Sequence, residues 1–361
     1  MHGRLGGTIP ELSGTRLEKV LSGLCPAQAP GLAWSVSTGS GQRLAGGHLG
    51  FAVLDPERLP VLENTLFDLA SLTKPLVTAL LALQAEDRGE IDLAAPVPGE
   101  PFTFIQLLRH EAGFPAWMPV YAFAGDPMGV RRWLLGRCPR GAPGVRTEYS
   151  CLGYILLGFL LEEILHAPLD GLFAERIAGP LGLNPEAACF RPPEGMRRGT
   201  AATEREPFRE AEMARQYGVA LTPWREPAGW GQVNDGNARC LGGVAGNAGL
   251  FGRLEAVERL AGAFRDGSAL LSERARCKAW EPSPEFRTAG WKAAGHPGWA
   301  AGLELPRGSI GHEGYTGTGL WMEPGEGRTY ILLTNRIHPI HPGADFGGAR
   351  AAFLSSAREL M

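Results

Sequence analysis

Lysine is scarce in this chain. Of 35 basic residues among 361, only Lys19, Lys74, Lys278 and Lys292 are lysines, and acidic residues outnumber the basic ones enough to leave a net charge of −3. Such a balance leaves no footprint for nucleic acid or for an anionic membrane surface. Long apolar runs are also missing. No stretch approaches the ~20 apolar residues of a membrane span, and the opening "MHGRLGGTIPELSGTRLEKV" has no apolar signal-peptide core. The expectation is a cytoplasmic protein, or a periplasmic or secreted one if a leader has been removed. The six cysteines, Cys25, Cys138, Cys151, Cys189, Cys240 and Cys277, never fall into a C-x-x-C pair, so neither a zinc site nor a dithiol redox motif is indicated. No metal and no cofactor are expected.

What is present reads as globular. Apolar residues make up 44 % and charged residues 20 %, enough for a sizeable core in one large domain or two intimate ones. Fifty-one glycines and 29 prolines point to many turns. Strand patterns occur at 31–39 and 42–53, and again at 308–314, 318–324 and 328–336. Helical patterns occupy 12–24, 71–88, 103–109, 128–135, 151–166, 169–178, 254–266 and 348–360. The segment "GYILLGFLLEEIL" (153–165) is the most apolar and reads as a central helix, and 190–252 reads as irregular. Strands at both chain ends with helices between them predict an α+β fold in which the two ends share one antiparallel sheet. The expected division is 1–74 with 235–361 as the sheet domain and 75–234 as a mainly helical insert, with a cleft between them.

The first chemically distinctive stretch is "FDLASLTKPLVTALLAL" (67–83). Pro75 has no N–H and is tolerated only in the first turn of a helix. The helix therefore starts near Ala70 or Ser71, and Ser71 lies at the positive end of its dipole. Lys74 is about one turn further on. A serine becomes a nucleophile when a nearby base takes its proton, and a lysine can do so if its surroundings lower its pKa. An exposed N-capping serine beside a surface lysine explains a single S-x-x-K equally well, so the reading depends on partners. Tyr149 precedes the central helix in "RTEYSCLGY", and His312 lies among glycines in "GSIGHEGYTGTGLWMEP". Each is ordinarily a packing residue. Asp235, Asn237 and Asn247, in the glycine-rich "QVNDGNARCLGGVAGNAGLFG", are read as helix-capping loop residues ahead of any site role. Trp117 is a candidate cleft wall, and Trp321 is read first as core.

Taken together these segments resemble the penicillin-recognising serine enzyme superfamily, and within it the class C β-lactamase-like branch of esterases, D-amino-acid peptidases and carboxypeptidases. Ser71-Leu72-Thr73-Lys74 matches S-x-x-K. Tyr149-Ser150-Cys151 matches Y-[SA]-N except at its last position. His312-Glu313-Gly314 matches the H-x-G form that replaces K-T-G in many members. "LLRHEAGFPAW" (107–117) partly matches a further segment of the branch. The resemblance implies a β-lactamase/transpeptidase-like fold, an antiparallel sheet flanked by helices with an inserted all-helical domain. It also implies an acyl-enzyme mechanism. Ser71 would be the nucleophile, Lys74 and Tyr149 would share the base role, and His312 would bond Tyr149 or meet a substrate carboxylate. The N–H groups of Ser71 and Tyr315 would form an oxyanion hole beside Gly314.

Cys151 stands where the family has an asparagine that grips an acylamino side chain. A thiol is a weak donor and acceptor, so a small ester or amide becomes the expected substrate ahead of a β-lactam or a D-alanyl-D-alanine peptide. A true β-lactamase, a D-alanyl-D-alanine carboxypeptidase, or a catalytically silent ligand-binding protein of the same fold are the alternatives. A monomer or weak homo-oligomer is expected.

Overall fold

A computed structural model describes residues 14–220, 230–296, 299–339 and 345–360. Its main sheet is built from both ends of the chain. The strands, in chain order, are β1 (Gly31–Ser37), β2 (Arg43–Val53), β3 (Leu59–Pro60), β4 (Phe67–Asp68), β5 (Ala188–Phe190), β6 (Leu250–Gly252), β7 (Lys292–Ala293), β8 (Ile310–Glu313), β9 (Gly319–Met322) and β10 (Thr329–Thr334). Seven of them form one antiparallel sheet in the order β3-β2-β1-β10-β9-β8-β7. At its centre β1 pairs with β10, Trp34 opposite Leu332. Every residue of both strands is buried, so both faces of the sheet are covered. That is why these strands read as near-continuous apolar runs.

One face carries Leu32, Trp34, Val36, Trp321 and Leu332. It packs on the helices Arg16–Leu24 and Gly347–Arg358 through Leu17, Leu21, Phe353 and Leu354. Trp321 is thus a core residue, as its strand position indicated. The other face carries Leu320, Ile331 and Leu333 into the larger core, with Leu76, Leu80 and the central helix Cys151–Leu165. Ser150 caps that helix, its hydroxyl accepting from the Gly153 N–H at 3.1 Å. Among the described residues no single helix is long and apolar enough to cross a membrane.

The helix expected over 71–88 is one continuous coil with three pitches. Ala70–Leu72 is a 3-10 turn, Lys74–Ala79 is π-helical, and Leu80–Asp87 is α-helical. Gly89, with φ of 70°, stops it. The middle section is not purely helical, because β5 pairs with β6 in a small sheet ordered β4-β6-β5. The stretch 190–252, expected to be irregular, contains the helices Phe208–Arg215 and Gly236–Cys240.

Candidate active site

Strand β4 delivers the chain to Ser71. Asp68 Oδ1 accepts from the Ala70 N–H at 2.8 Å, and Ala70 itself has φ of 47°, a left-handed conformation uncommon for a residue with a Cβ. Thr73 Oγ1 donates to the Ala70 carbonyl at 2.7 Å and accepts from the Leu250 N–H at 3.1 Å. The short turn is therefore fixed from β6 as well as from its own backbone.

Lys74 is completely buried, and its ammonium is fully engaged. Nζ donates to Ser71 Oγ at 2.9 Å and to the Asn247 carbonyl at 3.0 Å, and it lies 3.5 Å from Cys151 Sγ. Glycines bring Asn247 there. A Cβ on Gly158 would stand 3.0 Å from the Gly246 nitrogen, and one on Gly246 would collide with the Tyr154 carbonyl. The loop before β6 can thus lie directly on the central helix only because both residues are glycine. Thr78 Oγ1 pins the loop from the other side, donating to the Gly246 carbonyl at 2.7 Å.

Tyr149 completes this cluster. Its hydroxyl faces Lys74 and Ser71, both of which favour its ionised form, and its ring centre is 5.0 Å from Lys74 Nζ. Burial raises the phenol pKa, opposed by the Lys74 charge. Burial alone would lower the Lys74 pKa; Cys151, Tyr149 and, further off, Asp235 outweigh it and hold the ammonium up. Burial likewise pushes the Cys151 thiol up. The groups titrate as one unit, because the Lys74 ammonium favours the ionised phenol or thiol and is favoured by it in turn.

The opposite wall is the end of β8. A Cβ on Gly314 would stand 2.8 Å from the Leu69 carbonyl oxygen and would strike Thr318 Oγ1, so glycine is required for β8 to approach the nucleophile turn. Thr316 and Thr318 lock that approach, donating to the carbonyls of Asp68 and Leu69 at 2.8 and 3.2 Å. Arg350, from the C-terminal helix, donates to the Gly314 and Thr318 carbonyls at 2.6 and 3.1 Å.

His312 is buried beside Tyr149, ring centres 5.9 Å apart. Its Nδ1 bonds the Glu313 carbonyl at 3.0 Å, and among the described residues Nε2 has no partner. Burial, then the Lys74, Lys292 and Arg287 charges, lower its pKa well below 6.5. His312 is therefore held neutral, and it would bond Tyr149 or meet a substrate carboxylate as an uncharged imidazole.

The cleft between these walls has a volume of about 390 Å³. It is lined by Ser71, Tyr149, Cys151, His312, Gly314 and Tyr315, and by Trp117. Of the residues given a catalytic or binding role from the sequence, all but the buried Lys74 line it, and Lys74 reaches it through Ser71. Asp235 lines the cleft while also capping the helix Gly236–Cys240. Asn237 has a structural part, bonding the Val120 N–H and the Met118 carbonyl at 2.9 Å each.

Sequence reasoning missed Lys292, Glu313 and Arg350, which also face the cleft. Lys292 and Arg350 stand 3.8 and 3.9 Å from Glu313 Oε2. Lys292 could have been found as one of only four lysines; nothing local marks Arg350. His110, inside the partly matched 107–117 segment, was given no role. It is buried against Tyr149 and Tyr154, ring centres 4.7 and 5.0 Å away, and its Nδ1 accepts from the Ser150 N–H at 3.0 Å. Among the described residues no cluster of histidine, cysteine and carboxylates could hold a metal ion.

The beta-lactamase family model matches residues 22–353. A Salmonella newport (strain SL254) protein named "Putative D-alanyl-D-alanine carboxypeptidase" is 30 % identical over 314 residues, covering 76 % of this chain and 70 % of that one. A penicillin-binding protein homologue from Caulobacter crescentus superposes with a TM-score of 0.75 at 18 % identity, covering 99 % of this chain and 100 % of that one. A family VIII carboxylesterase gives 0.73 at 18 % identity, with 98 % of each chain covered. A class C beta-lactamase from Rhodobacter sphaeroides gives 0.69 at 21 % identity, with 96 % and 99 % covered. The α+β architecture is theirs, an antiparallel sheet shared by the chain ends with helices around it. A match that takes in the S-x-x-K turn, the tyrosine and the H-x-G strand alike means that this chain belongs to the beta-lactamase family, as a serine hydrolase of that superfamily.

Proposed function

We propose that the protein hydrolyses small esters or amides through an acyl-enzyme on Ser71. The observation that carries this reading is the fully buried Lys74 ammonium 2.9 Å from Ser71 Oγ. A surface lysine near a helix start would not be buried, and a purely structural one would not need a cleft-facing hydroxyl as a partner. Lys74, kept protonated, donates into Ser71 Oγ, so the serine proton has the Tyr149 oxygen as its acceptor. In the reactive form the Tyr149 phenol has lost its proton to solvent and its phenolate is paired with the Lys74 ammonium; as Oγ attacks the carbonyl carbon, the serine proton passes to that phenolate. The oxyanion forms against the N–H groups of Ser71 and Tyr315, a type of contact worth roughly 3–4 kcal/mol per donor. Tyr149 then returns the proton to the leaving group, and water repeats the sequence to free the acid. Lys74 keeps the cluster's charge balanced throughout. His312, neutral, orients the Tyr149 side of the site and adds no charge.

Cys151 supports a preference for compact acyl groups. It lines the cleft beside Lys74 and offers no amide to an acylamino side chain. A second reading, carboxypeptidase action on D-alanyl-D-alanine peptides, is favoured by the name of the Salmonella relative and by Lys292 and Arg350 in the cleft. The deciding experiment compares kcat/KM for p-nitrophenyl acetate, nitrocefin and a D-Ala-D-Ala dipeptide, with a fluorophosphonate probe mapped by mass. Ester turnover and probe mass at Ser71 are expected, with slow or absent nitrocefin turnover. Efficient dipeptide cleavage would favour the second reading, and labelling at another serine would remove both.

A further inference from the structure

Arg287 is an anomaly. It is 5 % exposed, yet among the described residues its guanidinium has no ion pair, and its buried Nε has no hydrogen-bond partner. A guanidinium held largely out of water with no counter-charge is unfavourable. Its backbone is fixed for other reasons: the N–H and carbonyl are tied to Ser283, and the residue bridges to Lys292 across the turn entering β7. None of that requires a charged side chain. What the charge faces is Tyr149: the guanidinium carbon lies 5.7 Å from the ring centre.

We propose that Arg287 is a positioning residue acting through Tyr149: its unpaired guanidinium over the ring stabilises the phenolate, and with it the proton-accepting form of the site. This rests on the reading of Tyr149 as proton acceptor.

The surroundings of Tyr149 leave Arg287 this part. Lys74 stands 5.0 Å from the ring centre on the nucleophile side, but it is shared among Ser71, the Asn247 carbonyl and Cys151. His110 packs on the ring from the 104–110 turn and His312 from β8. Both stay neutral, held down by burial first and by nearby cations next. Tyr154 and Cys151, from the central helix, are raised by burial and carry no charge at neutral pH. Lys292 sits on the same turn as Arg287 and stands 3.8 Å from the Glu313 carboxylate, and Asp235 acts on Lys74 and Cys151. Arg287 is therefore the cation near the ring that no acceptor shares. Because the phenolate spreads its charge into the ring, a cation over the face favours it more than the neutral phenol.

The test is a double-mutant cycle on full-length protein. Arg287→Met, Arg287→Lys, Tyr149→Phe and the Arg287→Met/Tyr149→Phe pair are compared by kcat/KM for p-nitrophenyl acetate across pH, by fluorophosphonate labelling rate and by Tm. Arg287→Met should lower kcat/KM at pH 7 about ten- to hundredfold and shift the acid limb upward, with Arg287→Lys recovering part of the loss. Its Tm should hold or rise, since an unpaired buried charge is removed and no acceptor is stranded. In the Tyr149→Phe background Arg287→Met should have no further effect. An equal loss in both backgrounds, or a lower Tm with an unmoved pH profile, would make Arg287 structural and overturn the inference while the base reading stands. Full activity in Tyr149→Phe alone would overturn the base reading itself, and the catalytic part of this inference with it.

Discussion

Two buried cations flank Tyr149, and they are held in opposite ways. Lys74 lies in a turn tied down from three elements, and its ammonium is spent on a hydroxyl, a carbonyl and a thiol. Arg287 lies in a loop before an edge strand, and its guanidinium spends nothing on an acceptor among the described residues. The fully partnered cation is one the fold itself needs. The unpartnered one is a liability to the fold, tolerable where its field is used. On the reading proposed above, the same residue class at the same depth serves structure and chemistry together in one place and chemistry against structure in the other.

That contrast can be broken most decisively at the nucleophile. Ser71→Ala should remove ester hydrolysis and probe labelling by about 10³-fold or more. The thermal transition should fall only modestly, because the Ser71 hydroxyl caps no helix and Lys74 keeps the Asn247 carbonyl as an acceptor. An alanine variant that still turned over ester at the wild-type rate would end the assignment. Lys74→Met is next in size. It should lose activity by two or more orders of magnitude and, unlike Arg287→Met, also lose stability, because the buried Asn247 carbonyl is stranded at about 1–3 kcal/mol. Adding Tyr149→Phe should cost little more, since the two act as a unit. Strictly additive losses in kinetics would mean separate roles.

A third measurement sharpens the comparison from the opposite wall. Gly314→Ala places a methyl against the Leu69 carbonyl and Thr318 Oγ1. The β8 turn should back away from Ser71, lowering kcat more than KM, at an overpacking cost of about 1–3 kcal/mol. Unchanged kcat would disprove the tight approach.

Stability against pH follows from the histidines. Burial holds His110, His312 and His338 below 6.5 in the folded state. Above 6.5 folded and unfolded forms are both neutral there. Below it the unfolded chain takes up protons first, so stability falls as pH drops from about 7 towards 5, by at most about 1.4 kcal/mol per unit for each histidine. Urea midpoints between pH 5 and 8 check this, and a flat profile would contradict it. The smallest effect expected is Cys151→Asn, a few-fold shift of the nitrocefin-to-ester kcat/KM ratio towards nitrocefin with Tm little changed. No shift would mean that residue 151 does not set acyl-group choice.

Much of the molecule was legible beforehand. The paired strands Gly31–Ser37 and Arg43–Val53, the three C-terminal strands and the central helix came from apolar periodicity, because each buries enough side chain to show a pattern. The two-residue strands β3, β4 and β7 and the three-residue β5 and β6 were invisible, being too short for any period to register. The helices Phe208–Arg215 and Glu273–Trp280 also escaped, since each has only two buried residues. At the site, Ser71, Lys74, Tyr149 and His312 were legible as motif residues, but their protonation was not, because burial and neighbouring charges set it.

By itself the sequence determined the fold class, the shared sheet of the two chain ends and the reactive residue types, because periodicity and short motifs are local properties. Tertiary structure alone decided that Lys74 is buried with three partners, that two glycines bring Asn247 across the central helix to it, and that Arg287, 138 residues beyond Tyr149, hangs over its ring. Desolvation and Coulomb interaction depend on distance through space and on what surrounds each charge, and neither quantity is written in the order of residues along the chain.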